Sequence, residues 1–105
     1  MHDAIVVYID PDLEDLIPGF LANRHRDVES LRLLLGRQDY AAIRLIGHSM
    51  KGAGGGYGFD PITDYGDRIE TAALVGNDAV IQAATAELAD YLARVRPVRA
   101  KSENE

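Results

Sequence analysis

His48 and Lys51 are the pair whose types and spacing could do chemistry, within the stretch Ile43 to Phe59, IRLIGHSMKGAGGGYGF. An imidazole is in good part uncharged near neutral pH, and its free ring nitrogen is a nucleophile able to hold a labile N–P bond. A lysine one helical turn ahead supplies a point charge that can meet phosphate oxygens. Gly52 follows directly, and five glycines fall within the seven positions Gly52 to Gly58. Such a pair could take up an anionic group and hold it, provided that the histidine is exposed.

A helix is the element that must expose it. Along Ile43, Ile46, Met50, Ala53 and Tyr57 the apolar spacings are three, four, three and four, which form one stripe of a helix. At about 100° per residue His48 points almost directly away from that stripe. A histidine opposite a buried seam is unexplained by packing. Arg44 and Leu45 lie one turn before it on the outer face, Lys51 and Gly52 one turn after, and Gly55 a further turn on. These six residues are the candidate working surface, with Gly52 and Gly55 leaving it flat enough for a partner to come down over His48.

The remaining composition narrows the setting. A chain of 105 residues fits one domain with one core. No apolar run reaches the roughly 18 residues of a membrane span, and the N-terminus lacks the positive flank of a signal peptide. The net charge of −6 argues against nucleic acid and anionic membrane as partners. With no cysteine there is neither a disulfide framework nor thiolate chemistry, as suits a cytoplasmic protein.

Read in order, Ala4 to Ile9 has strand composition but no evident strand to pair with, and is read as an extended arm or a first apolar contact. Asp10-Pro11-Asp12 opens a short helix to Ile17. Pro18 either kinks it or begins a second helix, and helical spacing continues to Leu35 with Gly36 as the C-terminal stop. Asp39 caps the helix of His48, which ends between Gly54 and Gly58. Asp60-Pro61 restarts the chain as cap and first helical residue, with a stripe through Ile62, Tyr65 and Ile69. Gly76-Asn77-Asp78 turns it into a last helix through Val95, buried along Ile81, Ala84, Leu88, Tyr91 and Val95. Pro97 closes that helix, and the basic Arg94 to Lys101 segment is read as solvated. The expected fold is all-α: an up-down antiparallel four-helix bundle over 1–96 with a short extra N-terminal helix, and a flexible polar tail over 97–105.

The segment HSMKGAGGGYG, His48 to Gly58, resembles the signature of histidine-containing phosphotransfer (HPt) domains: a histidine, two residues, Lys-Gly, then five residues and a glycine. His48, Lys51, Gly52 and Gly58 stand in register with it. The similarity extends to the Ile-Pro-Gly-Phe-Leu run at Ile17 to Leu21 and to Gly-x-x-Ile-Glu at Gly66 to Glu70. Met50 stands where the family often has leucine, a tolerant exchange. The resemblance implies that His48 accepts a phosphoryl group from a receiver-domain phospho-aspartate and returns it to another receiver. Lys51 would stabilise the phosphate, and Arg44, Leu45, Gly52 and Gly55 would meet the partner. It implies a phosphorelay intermediate without turnover of its own, receiver domains and a hybrid sensor histidine kinase as partners, and a monomer. No metal ligand and no cofactor of this chain is expected, Mg²⁺ arriving with the receiver.

Two other readings use the same residues. One is an adaptor that docks receivers without being phosphorylated, which the intact His48-Lys51-Gly52 triplet opposes. The other is a module of a larger sensor kinase, against which the initial Met and polar end favour a free-standing chain. The glycine run matches neither GxxxxGK[ST] nor GxGxxG. His2 and His25 lack companions at metal-ligand spacing. Asp64, Asp67 and Glu70 share one helical face, read as solvated or as a lining that orders a partner's basic residue. Tyr57 and Phe59 are expected to plug the bundle end, and Tyr65 and Tyr91 to be core residues with wet hydroxyls.

Overall fold

A computed structural model describes residues 3–100. Four helices, α1 (Ile17–Gly36), α2 (Tyr40–Gly54), α3 (Asp60–Leu74) and α4 (Asp78–Arg94), account for most of the chain. α1 packs on α2 and α4, and α3 packs on the same two, so the four close a ring around one core. Leu31, Ile43, Met50, Phe59, Ile62, Ile69, Ile81 and Leu88 are fully buried at its centre. His2 lies outside the described residues, and His25 is exposed.

The helix starts follow local chemistry. Asp39 accepts from the Ala42 N–H at 3.2 Å and Asn77 from the Val80 N–H at 3.2 Å, each meeting an orphan donor of a first turn. Pro18 and Pro61 sit in first turns, where the missing N–H costs nothing. Asp60 opens α3 without a side-chain cap. Between α2 and α3, Gly55–Tyr57 tightens into a 3-10 turn and Gly58 takes φ +90°, a left-handed conformation that favours glycine. After α1 the left-handed residue is Gln38, at φ 54°, and not Gly36, which stays inside the helix.

Two departures concern the chain ends. The short helix expected from Pro11 is a 3-10 helix over Pro11–Leu16, with Asp10 accepting from the Asp12 N–H at 2.9 Å. Ile5–Ile9 (β1) is a strand and not an unpaired arm: it runs parallel to Val95–Arg99 (β2), with Ile5 opposite Val95 and Ile9 opposite Arg99. Its partner is the segment read as a helix stop and solvated tail, so that reading fails for Pro97 to Arg99. Val95-Arg96-Pro97-Val98-Arg99 holds no strict apolar–polar alternation and carries a proline, so its composition does not mark it as a strand. Ile9 and Val95 are buried, anchoring the pair to the bundle.

The expected plug at the bundle end is present. The Phe20 ring stacks on Tyr57 at 4.5 Å between centroids and on Phe59 at 5.4 Å. Tyr91 differs from expectation, because its hydroxyl is buried with no hydrogen-bond partner among the described residues.

Candidate functional site

The position of His48 is set by two glycines. The buried face of α2 runs Ile43, Gly47, Met50, Gly54, at spacings of four, three and four. Ile46, Ala53 and Tyr57 are only half-buried. Counting the glycines turns the centre of the seam toward His48, which then lies about 130° from it, with Lys51 at about 70°. His48 therefore stands on the flank of α2 beside α3, and not opposite the core.

That flank is where α3 comes closest. A Cβ built on Gly47 would lie 2.7 Å from the Glu70 backbone N and 2.9 Å from the Gly66 carbonyl oxygen. One on Gly66 would lie 2.5 Å from the backbone N of Lys51. Neither position can carry a side chain without moving a helix, since real Cβ contacts stay beyond about 3 Å. The two interlocked glycines bring the α3 backbone against the segment of α2 that carries His48 and Lys51.

Glu70 uses this approach. The Nδ1–H of His48 donates to Glu70 Oε2 at 2.7 Å. The carboxylate is an acceptor only, so it selects the tautomer with the proton on Nδ1 and leaves the Nε2 lone pair free. The His48 side chain is 72% exposed and that of Glu70 16%. The nucleophilic nitrogen thus faces solvent while the orienting group is largely covered.

Lys51 is drawn to the same carboxylates. Its Nζ lies 3.1 Å from Asp67 Oδ1 and 3.6 Å from Glu70 Oε1. The hydrogen bond and charge of Asp67, then the charge of Glu70, hold the Lys51 ammonium above the usual lysine range. Asp67 and Glu70 are thereby more than a solvated face: they order basic residues of this chain itself. Asp64 remains exposed. Residue spacing alone does not mark Glu70 as the partner of His48. The available signal was Gly47 and Gly66, small residues whose value lies in helix approach and not in hydropathy.

The other candidates share the exposed face. Arg44, Leu45, Gly52 and Gly55 are all exposed, Leu45 at 61%. A Cβ on Gly52 would meet nothing within 4 Å, so no internal contact explains this glycine. Gly55 donates its N–H to Thr63 Oγ1 at 2.9 Å, fixing the helix end beside the site. Among the described residues no group of three or more histidine, aspartate or glutamate side chains is arranged to hold a metal ion. None of the helices is long and apolar enough to cross a membrane.

The arrangement has the parts of an activated nucleophile: a ring nitrogen with its lone pair outward, a base-side carboxylate that fixes the ring, and a cation one turn away. A family model described as Hpt domain matches residues 15–97, most of the chain. No curated protein and no solved structure matches it.

Proposed function

Because the chain belongs to the Hpt domain family, we propose that it is a histidine phosphotransfer protein of a multistep two-component phosphorelay, with His48 as the phosphorylated residue. The observation that carries the assignment is the 2.7 Å hydrogen bond from His48 Nδ1 to Glu70, which turns Nε2 outward on an exposed helix face.

In this reading the Nε2 lone pair attacks the phosphorus of a receiver's aspartyl phosphate. The N–P bond forms as the P–O bond to the aspartate breaks, and the aspartate leaves as a free carboxylate. The ring, still carrying its Nδ1 proton, takes on positive charge, and Glu70 sits against the nitrogen where that charge develops. The proton stays in place, so the reverse transfer to a second receiver needs no proton movement. Mg²⁺ at the receiver's own acidic site would neutralise the phosphoryl oxygens.

Lys51 is parked for a second role. Its partner Asp67 is 54% exposed, and an ion pair so open to solvent is weakly held. Exchanging Asp67 for an arriving phosphoryl oxygen therefore costs little. Arg44 and Leu45 on one side of His48, and the bare Gly52 and Gly55 on the other, form the docking face. Receiver domains and a hybrid sensor kinase are the partners that fit, in the cytoplasm, and the protein is a carrier without turnover of its own. An up-down order of the helices goes with this reading: later residues of α2 meet earlier residues of α3, as in Gly47 with Glu70 and Gly54 with Thr63.

The test is transfer from receiver domains charged with acetyl phosphate, comparing the wild type with His48→Gln. Label on the wild type alone, lost in acid and kept in base, is expected. Equal labelling of His48→Gln, with its helical circular dichroism intact, overturns the assignment. Failure of every receiver to label either protein would favour the adaptor.

A further inference from the structure

Four polar side chains stand in line across the contact of α2 with α3. Lys51 Nζ lies 3.1 Å from Asp67 Oδ1 and 3.6 Å from Glu70 Oε1, while the second Glu70 oxygen, Oε2, takes the His48 Nδ1–H at 2.7 Å. The glycine contact sets this order. Gly66 lies against the backbone N of Lys51, so Asp67, the next residue of α3, falls beside that lysine. Gly47 lies against the Glu70 backbone, so His48, the next residue of α2, falls beside Glu70. His48 to Lys51 and Asp67 to Glu70 are each one helical turn. One turn of α2 thus faces one turn of α3, base against carboxylate at both levels.

The two carboxylates do different work. Glu70 is 16% exposed and holds a partner on each oxygen, so it is fixed by the ring and the lysine together. Asp67 is 54% exposed, and Lys51 is the one polar partner of its side chain among the described residues. Asp67 is also nearer to the ammonium than Glu70 is. A phosphoryl group on Nε2 would stand on the side of the imidazole away from Glu70, because Nδ1 is the nitrogen turned to that carboxylate. Lys51 then has one positive charge to divide between Asp67 and the phosphoryl oxygens.

We infer that Asp67 is a positioning residue that limits the lifetime of phosphohistidine at His48, by competing with the phosphoryl group for Lys51. The inference rests on His48 being the phosphorylated residue. In hydrolysis the N–P bond breaks with its electron pair returning to Nε2, and a water oxygen bonds to phosphorus. Both water protons leave with the product, dihydrogen phosphate, and the ring is left neutral with its Nδ1 proton. The transition state is loose and resembles metaphosphate, so the phosphoryl oxygens carry most negative charge before the bond breaks. A cation held on them lowers the starting state more than the transition state. Asp67 withholds part of that cation and leaves the group easier to lose. The same balance makes His48 a readier donor to a second receiver, which suits a carrier that must release what it takes up.

Phosphoramidate, a small-molecule phosphoryl donor to histidine, charges the full chain without any receiver. The half-life of the phosphohistidine is then followed by phosphorus NMR at constant pH, with His48→Gln as the control for the labelled position. Asp67→Asn should lengthen the half-life about two- to fivefold, the scale of one solvent-exposed charge pair. Asp67→Glu, which keeps the charge, should stay near wild type. In a Lys51→Gln background the effect of Asp67→Asn should vanish, an outcome that a merely structural role for Asp67 does not produce. Equal half-lives of wild type and Asp67→Asn overturn the inference. So does a lengthening undiminished in the Lys51→Gln background, which is direct repulsion and not competition for the lysine. Transfer to His48 from a charged receiver would leave the phosphorelay assignment standing in both cases. A longer-lived Asp67→Asn with no transfer from any receiver would uphold the inference and overturn the assignment.

Discussion

Glu70→Gln separates two things that Glu70 can do for His48. Glutamine keeps an acceptor for the Nδ1–H, so ring orientation and tautomer survive, while the negative charge is lost. Glu70 Oε2 lies 2.7 Å from Nδ1 of the ring that becomes positive on phosphorylation, so the two charge centres stand on the order of 4 Å apart. Two unit charges at that distance interact by about 1 kcal/mol in water and about 4 kcal/mol at a protein surface of lower effective dielectric. The ring is 72% exposed, so the lower part of that range applies, about 1–2 kcal/mol. At about 1.4 kcal/mol per tenfold, transfer to His48 should slow roughly 5- to 30-fold. Glu70→Ala also frees the ring and should be slower still. The assay is quench-flow phosphohistidine formation from one charged receiver at saturating concentration, with helicity checked by circular dichroism. Both variants within twofold of wild type would refute a role for Glu70. Glu70→Gln at the wild-type rate with Glu70→Ala slow would refute the charge argument and leave orientation alone.

Other expectations follow from glycines and a tyrosine. Gly52→Ala adds a Cβ in open space on a helix, so it should stabilise by about 0.5–1 kcal/mol in denaturant unfolding. The same variant should slow receiver transfer, and a wild-type rate would show that the partner needs no bare backbone there. Gly47→Ala should destabilise by about 1–3 kcal/mol, because its Cβ meets the Glu70 backbone at 2.7 Å; a melting temperature unchanged from wild type would contradict the close helix approach. Burial, then the charges of Tyr65 and Asp60, push the Tyr91 hydroxyl up to about 12. A folded pKa raised above an unfolded value near 10 gives stability that is complete below pH 10 and lost as pH rises to about 12, by about 2–3 kcal/mol. Tyr91→Phe also removes an unpaired buried hydroxyl, so it should melt no lower than wild type at pH 7 and fall less steeply above pH 10. Parallel pH profiles would remove Tyr91 from the alkaline transition.

The amino-acid sequence by itself determined the helices and the reactive pair. Capping by Asp39 and Asn77, prolines in first turns, and three-four apolar spacing are local signals, acting within a turn or two of the chain. The exposure of His48 and its spacing to Lys51 follow from the helical repeat alone. What only the tertiary structure decided is non-local. The strand at Ile5–Ile9 has its partner some ninety residues away, and no local pattern joins them. Glu70 acts on His48 only because Gly47 and Gly66 let two backbones nearly touch, and a glycine's missing side chain leaves no mark on a hydropathy pattern. The unpaired Tyr91 hydroxyl is likewise a property of what surrounds it, since the same residue on the same helix would be wet if its neighbours were polar. Local chemistry sets which groups exist and which way each helix turns them; contact between distant segments sets which groups act together.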